Sequence, residues 1–137
     1  GLGDVYKRQV LGKHNGLFNY TIGQRKGLGI AYKHPLYVIG FNGDRNEVIV
    51  GPNERLFTNR MICKFYNFLD DTIHKELKAE GKIRYAANPS PCTARILDDD
   101  TMEVIFEEPQ RAITPGQSVA FYNGTQLLGG AVIDRVC

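Results

Sequence analysis

The stretch CTARILDDDTMEVIFEEPQRAITPGQSVAFYNGTQLLGGAVID, residues 92–134, decides the fold. Its apolar and polar residues alternate with a period of two, the spacing of a strand with one buried face. In MEVIFEE, Met102, Val104 and Phe106 share one face, while Glu103, Ile105 and Glu107 share the other, which reads as mostly wet. Cys92, Ala94 and Ile96 form a similar row, so Cys92 reads as a small buried hydrophobe. Turn residues punctuate the pattern at short intervals: Asp98 to Asp100, ITPG and NGT. Upstream, KIRY reads as another strand, closed by NPSP, and MICKFYNFL begins one more. Strands at such even spacing predict a small closed barrel of six strands.

Nearer the N-terminus, PLYVIGF (35–41) and NEVIV (46–50) flank Asn42, Gly43 and Asp44, which predicts a hairpin. GPNERLF then supplies a loop or a single helical turn. The stretch YTIGQRKGLGI, residues 20–30, reads as a strand over Tyr20–Ile22 that runs into a glycine-permitted loop presenting Arg25 and Lys26. It carries neither GxxxxGK followed by Ser or Thr nor GxGxxG, so a phosphate loop of either type is excluded. Two readings stay open for it: cations placed on RNA phosphates, or a solvated basic turn. The fold class is therefore all-β, with two small β modules meeting near residues 57–60. The acidic stretch from Leu69 to Ile73 is the least structured, and no internal repeat is visible.

A chain of 137 residues with 42% hydrophobic and 23% charged residues is an ordinary globular chain of one domain or two small ones. No apolar run approaches the roughly 20 residues of a membrane-spanning helix, so no membrane association and a cytoplasmic location are the defaults. Seventeen basic and fifteen acidic residues leave +2, too little to announce a nucleic-acid binder without a local patch. Cys63, Cys92 and Cys137 contain no CxxC pair, which speaks against a disulfide framework or a zinc site. No paired carboxylates or nucleophile–base set point to catalysis by these residues. The opening GLGDVYKRQ, residues 1–9, resembles a translated transposon end, an assembly scar, and is set apart from the fold.

HNGLFNYTIGQRKGLGI, PLYVIGF, VIVGPNERLF, KIRY and FEEPQRAITPGQSVAFYNGTQLLGGAVID together closely resemble the C-terminal part of the tRNA-specific 2-thiouridylases, from Val10 to Val136. The resemblance implies two domains, residues 10–58 as the family's central small β domain and 59–137 as a barrel similar to the second domain of translation elongation factors. It also implies an ATP-dependent thiolation of the wobble uridine of certain tRNAs. In that family an N-terminal domain binds ATP and adenylates the uracil, a cysteine persulfide donates sulfur, and a sulfur-relay or cysteine desulfurase protein supplies it. This sequence lacks the SGGxDS-type loop and both cysteine motifs, so the expectation is that the fragment binds neither ATP nor the sulfur donor and is inactive alone. The alternative is a noncatalytic RNA- or ribosome-binding barrel.

The resemblance also places tRNA contacts on Arg84 and Tyr85 of KIRY and on Gln117 of TPGQ, with Arg25 and Lys26 belonging to a signature stretch. Chemically, an arginine forks onto phosphate, a tyrosine stacks on a splayed base, and an amide bonds a ribose or base edge. Read on its residues alone, KIRY instead buries Tyr85 beside Ile83 and leaves Lys82 and Arg84 in water. Pro115–Gly116 predicts a type II turn that lifts Gln117 onto a loop, the alternative being a polar residue that merely starts the strand SVAFY. His14 lies in the family's GxHxG pattern, which leaves two readings, a place near the active-site face or, the favoured one, a hydrogen-bonded structural histidine.

Overall fold

The computed structural model describes residues 2–4, 10–12, 20–25, 35–42, 44–70, 75–84 and 87–137. They divide into two compact units, Gly1–Phe57 and Thr58–Cys137.

In the first unit, β1 (Leu2–Asp4), β2 (Val10–Gly12), β3 (Tyr37–Asn42) and β4 (Glu47–Gly51) form one sheet in the order β2-β1-β4-β3. β3 and β4 are the expected antiparallel hairpin, with Val38 opposite Val50 and Phe41 opposite Val48. Its turn is set by Asn42, whose Oδ1 accepts from the Arg45 N–H, and by Asn46 at φ +52, a conformation asparagine tolerates. Val38, Val48 and Val50 are fully buried and pack with Tyr20 and Leu36 as a small core. A one-turn 3-10 helix, Asn53–Leu56, follows and buries Leu56. Residues 1–9, set apart on sequence, contribute β1, which runs parallel to β4. A sheet edge pairs through main-chain groups, so side-chain composition is a poor guide to which short segment joins it.

Tyr20–Ile22 is not a strand. Thr21–Gln24 is a tight turn, closed by Gln24 N–H donating to Thr21 O at 2.9 Å, with Gly23 at φ +89. The β-prone residues misled the reading because the glycine two positions on allows the positive φ that a type II turn requires.

In the second unit, β5 (Phe57–Phe68), β6 (Glu76–Lys82), β7 (Ser90–Ile96), β8 (Thr101–Arg111), β9 (Ser118–Asn123) and β10 (Gln126–Val136) close into a barrel, order β10-β5-β8-β7-β6-β9. The expected inward row of Met102, Val104 and Phe106 fills the interior with Met61, Cys63, Cys92, Val119, Phe121 and Ile133. KIRY, however, lies where β6 ends, with only Lys82 inside the strand. The strand proper, ELKAEGK, is rich in charge and gives a weak β signal; it is held by neighbours on both sides, β7 and β9.

Glu103 corrects the expectation of a wet outer face. It is 6% exposed, covered by Arg60 and Arg95. Arg60 Nε and Nη2 reach its Oε2 at 2.7 and 2.5 Å, and Arg95 Nη2 reaches Oε1 at 3.1 Å. Burying a carboxylate is costly unless its oxygens are paired, and two guanidinium groups meet that need here.

Strand β10 approaches β5 so closely at Gly129, opposite Phe68, that a Cβ there would lie 2.2 Å from the Asn67 carbonyl oxygen and 2.9 Å from Phe68 Cα. No side chain fits at that seam.

Candidate nucleic-acid interface

The strand register sorts the barrel's connections between two poles. Lys82 lies opposite Ala120, Gly81 opposite Ser90, and Ser118 opposite Val132. The segments after β6, after β8 and before β9 therefore meet at one pole, which holds Arg84, Arg111, Ala112 and the Thr114–Gln117 turn. The β7–β8 and β9–β10 hairpin turns lie at the other, as Ile96 opposite Met102 and Asn123 opposite Gln126 require.

At the first pole Arg84 is part-buried, and its guanidinium forks onto the main chain: Nη1 donates to Ala112 O at 3.3 Å and Nη2 donates to Arg111 O. Ala112 sits at φ +57, a conformation that costs a residue with a Cβ about 1 kcal/mol. Its carbonyl also accepts from Thr114 Oγ1 at 2.9 Å, and Ile113 anchors the corner in the core. Arg84 thus fastens the corner from which the next turn springs. Two of the five N–H donors of a guanidinium are engaged on carbonyls, and the rest keep the cation's ability to meet phosphate.

Thr114–Gln117 is the expected type II turn, with Gln117 N–H on Thr114 O at 3.2 Å and Gly116 at φ +91. Gly116 N–H donates to Ile133 O at 2.7 Å, and Ile133 N–H donates to Gln117 O at 2.8 Å, which locks the turn onto β10. Gln117 is exposed. Arg84 and Gln117 are brought to one pole through the chain Arg84, Ala112, Thr114, Gln117, each link a hydrogen bond.

The first unit writes the same turn again, which sequence reading missed. In TIGQ, Gly23 N–H donates to Val38 O at 2.7 Å and Val38 N–H donates to Gln24 O at 2.8 Å, as in TPGQ. The shared letters, T-x-G-Q, were the available signal. Gln24 differs in that its Oε1 accepts from Thr21 N–H at 2.9 Å. Arg25 follows this turn and is exposed, in a different unit from Arg84 and Gln117. Lys26, Tyr85 and His14 lie outside the described residues.

Cys63 and Cys92 are buried in the barrel interior, and desolvation above all pushes both thiols up to about 12. Neither is placed as a nucleophile or as a carrier of sulfur. Two consequences are measurable. In the native state Cys137 is the fast-reacting thiol toward a disulfide reagent, and Cys63 and Cys92 react only on unfolding. Because folding raises both pKa values from 9.0, the unfolded chain loses these protons first. Stability then falls as pH rises from about 9 toward 12, which denaturation series along that range would read. Among the described residues no group of His, Cys, Asp and Glu is arranged to hold a metal ion, and no helix is long and apolar enough to cross a membrane.

Two family models match: an aminomethyltransferase β-barrel domain over residues 58–133 and a tRNA methyl transferase PRC-barrel domain over residues 2–52. Each match falls within one compact unit. A protein of Clostridioides difficile (strain 630) named tRNA-specific 2-thiouridylase MnmA is 47% identical over 130 residues, covering 94% of this chain and 36% of the relative. The chain belongs to the tRNA-specific 2-thiouridylase family. Family proteins of the same name from Geobacter metallireducens and Geotalea uraniireducens are 44% and 45% identical, over 97% and 94% of the chain. The chain spans about a third of the length of these family members, 34–37%.

Proposed function

We propose that these residues are the tRNA-contacting C-terminal part of an enzyme that 2-thiolates the wobble uridine of tRNA. The observation that carries this reading is the Arg84 fork on the Arg111 and Ala112 carbonyls, which fixes the corner presenting Gln117. A neutral amide held out on a rigid turn suits a ribose or base edge, and the neighbouring guanidinium suits the phosphate beside it. Tyr85, Arg25 and Lys26 complete the proposed set of tRNA contacts. ATP, the persulfide sulfur and the sulfur-relay or cysteine desulfurase protein then belong to the longer enzyme, which acts in the cytoplasm. The barrel thiols, sealed in an apolar interior, take no part, and this chain alone has no thiolation activity.

The test is anisotropy titration of the chain with a tRNA transcript across a salt series. Phosphate contacts make binding weaken as salt rises. Gln117→Ala raises Kd about fivefold to tenfold, the equivalent of one hydrogen bond, without moving the unfolding midpoint. Equal binding by Gln117→Ala and the parent chain would remove Gln117 from the interface. Absence of binding at every salt concentration would reduce the barrel to a scaffold.

A further inference from the structure

The barrel's other pole carries apolar side chains that its own core does not use. Along the end of β5, Tyr66 and Phe68 turn inward and pack on the core, which leaves Phe65 and Leu69 outward, 74% and 71% exposed. Phe65 stands at φ +53 within a strand, a conformation that a bulky residue rarely adopts. It is tied to the β7–β8 turn by its N–H on Asp100 O at 3.2 Å, and Tyr66 Oη donates to Asp98 O at 2.9 Å across the same junction. Leu97 opens that turn, and Leu127, the second residue of β10, precedes Leu128, whose carbonyl accepts from Leu69 N–H at 2.9 Å. Leu97 and Leu127 are each 46% exposed. Phe65, Leu69, Leu97 and Leu127 therefore line one rim of the barrel as an exposed apolar arc.

Among the described residues the charge around this arc has one dominant sign. Asp70 follows Leu69, and Asp98, Asp99 and Asp100 are all exposed beside Leu97. The Asp100 and Thr101 N–H groups bond the Asp98 carboxylate and hold its pKa below the usual value, which favours the charged form. Among the described residues, the cations Lys64 and Arg95 face carboxylates, Asp134 at 3.7 Å and Glu103 at 3.1 Å, and Lys75 adjoins Glu76 in sequence. An apolar arc with an acidic border repels nucleic-acid phosphate and attracts a surface of the opposite charge.

We infer that this pole is a docking surface for a separate protein, one that offers a cationic segment with apolar anchors. The inference goes beyond tRNA contact, which the opposite pole would make. Apolar anchors would cover Phe65 and Leu69, and lysine or arginine side chains would meet Asp99 and Asp100. The surface faces away from Arg84 and Gln117 along the barrel, so both partners can be held at once.

The experiment uses the whole 137-residue chain and an amphipathic leucine–lysine peptide as the probe, followed by amide NMR shifts. An all-lysine peptide and a tRNA transcript serve as comparison probes. Shifts are expected at Phe65, Leu69 and Leu97–Thr101, with Kd raised about tenfold or more by Phe65→Gly or by Asp99→Lys with Asp100→Lys, and by loss of the leucines from the peptide. The glycine variant suits the positive φ, so the unfolding midpoint does not fall, which separates a docking role from a structural one. A lowered midpoint for Phe65→Gly, or peptide binding indifferent to these substitutions, overturns the proposal. So do two further outcomes: tRNA affinity lost in Phe65→Gly, which would make the pole an RNA face, and self-association of the chain abolished by it, which would make the pole a dimer contact.

Discussion

Gly129→Ala lowers the stability of the barrel by about 3 kcal/mol or more, among the largest effects open to a single methyl group. The added carbon would fall 2.2 Å from the Asn67 carbonyl oxygen and 2.8 Å from Phe68 Cδ1. A flexible side chain could swing away, but the main chain of β5 cannot. Relief requires β10 to retreat, which breaks pairing on a strand that β5 and β9 both use. In a domain of this size the loss corresponds to a fall in melting temperature of roughly 12–24 °C. Far-UV circular dichroism is the suitable readout, since the chain contains no tryptophan. A midpoint within a few degrees of the parent would show that the seam has more room than the geometry gives it.

Arg84→Ala has the second large effect, and it is double. Removing the fork leaves the Arg111 and Ala112 carbonyls short of charged donors, at a cost of about 2 kcal/mol. It also frees the corner that aims Gln117, so tRNA affinity falls about tenfold in the same variant. Arg84→Lys restores the cation without the planar fork; it is expected to recover the salt-dependent part of binding but little of the stability. Urea titration and tRNA anisotropy on the three variants Arg84→Ala, Arg84→Lys and Gln117→Ala separate the roles. Loss of binding with unchanged stability in Arg84→Ala would mean that the carbonyl contacts are incidental.

The barrel was legible because its signal is local. Period-two alternation in residues 102–107 and the Pro115–Gly116 pair carry their meaning within a few positions. What escaped depends on partners far along the chain. Glu103 reads as a wet strand residue until Arg60, 43 positions away, closes over it. Arg84 was legible as an arginine of interest, but its acceptors are main-chain oxygens, which every residue has, so no pattern of letters could point to them. Tyr20–Ile22 looked like a strand since its residue types favour one. The turn is closed locally, by Gln24 N–H on Thr21 O, but the hydrogen bonds to Val38 that pin it to β3 lie beyond a local window. Strand β6 was misplaced for the converse reason: closure of the barrel, not propensity, holds it.

The T-x-G-Q turn occurs once beside a four-stranded sheet and once in a closed barrel, and both copies make the same three main-chain hydrogen bonds. The second position differs, isoleucine in one and proline in the other, without altering the outcome. The three shared letters therefore accompany the same fastening in both units of the chain. Such an element is portable within this chain: it works twice as a clasp that pins an incoming segment to a strand, once on β3 and once on β10.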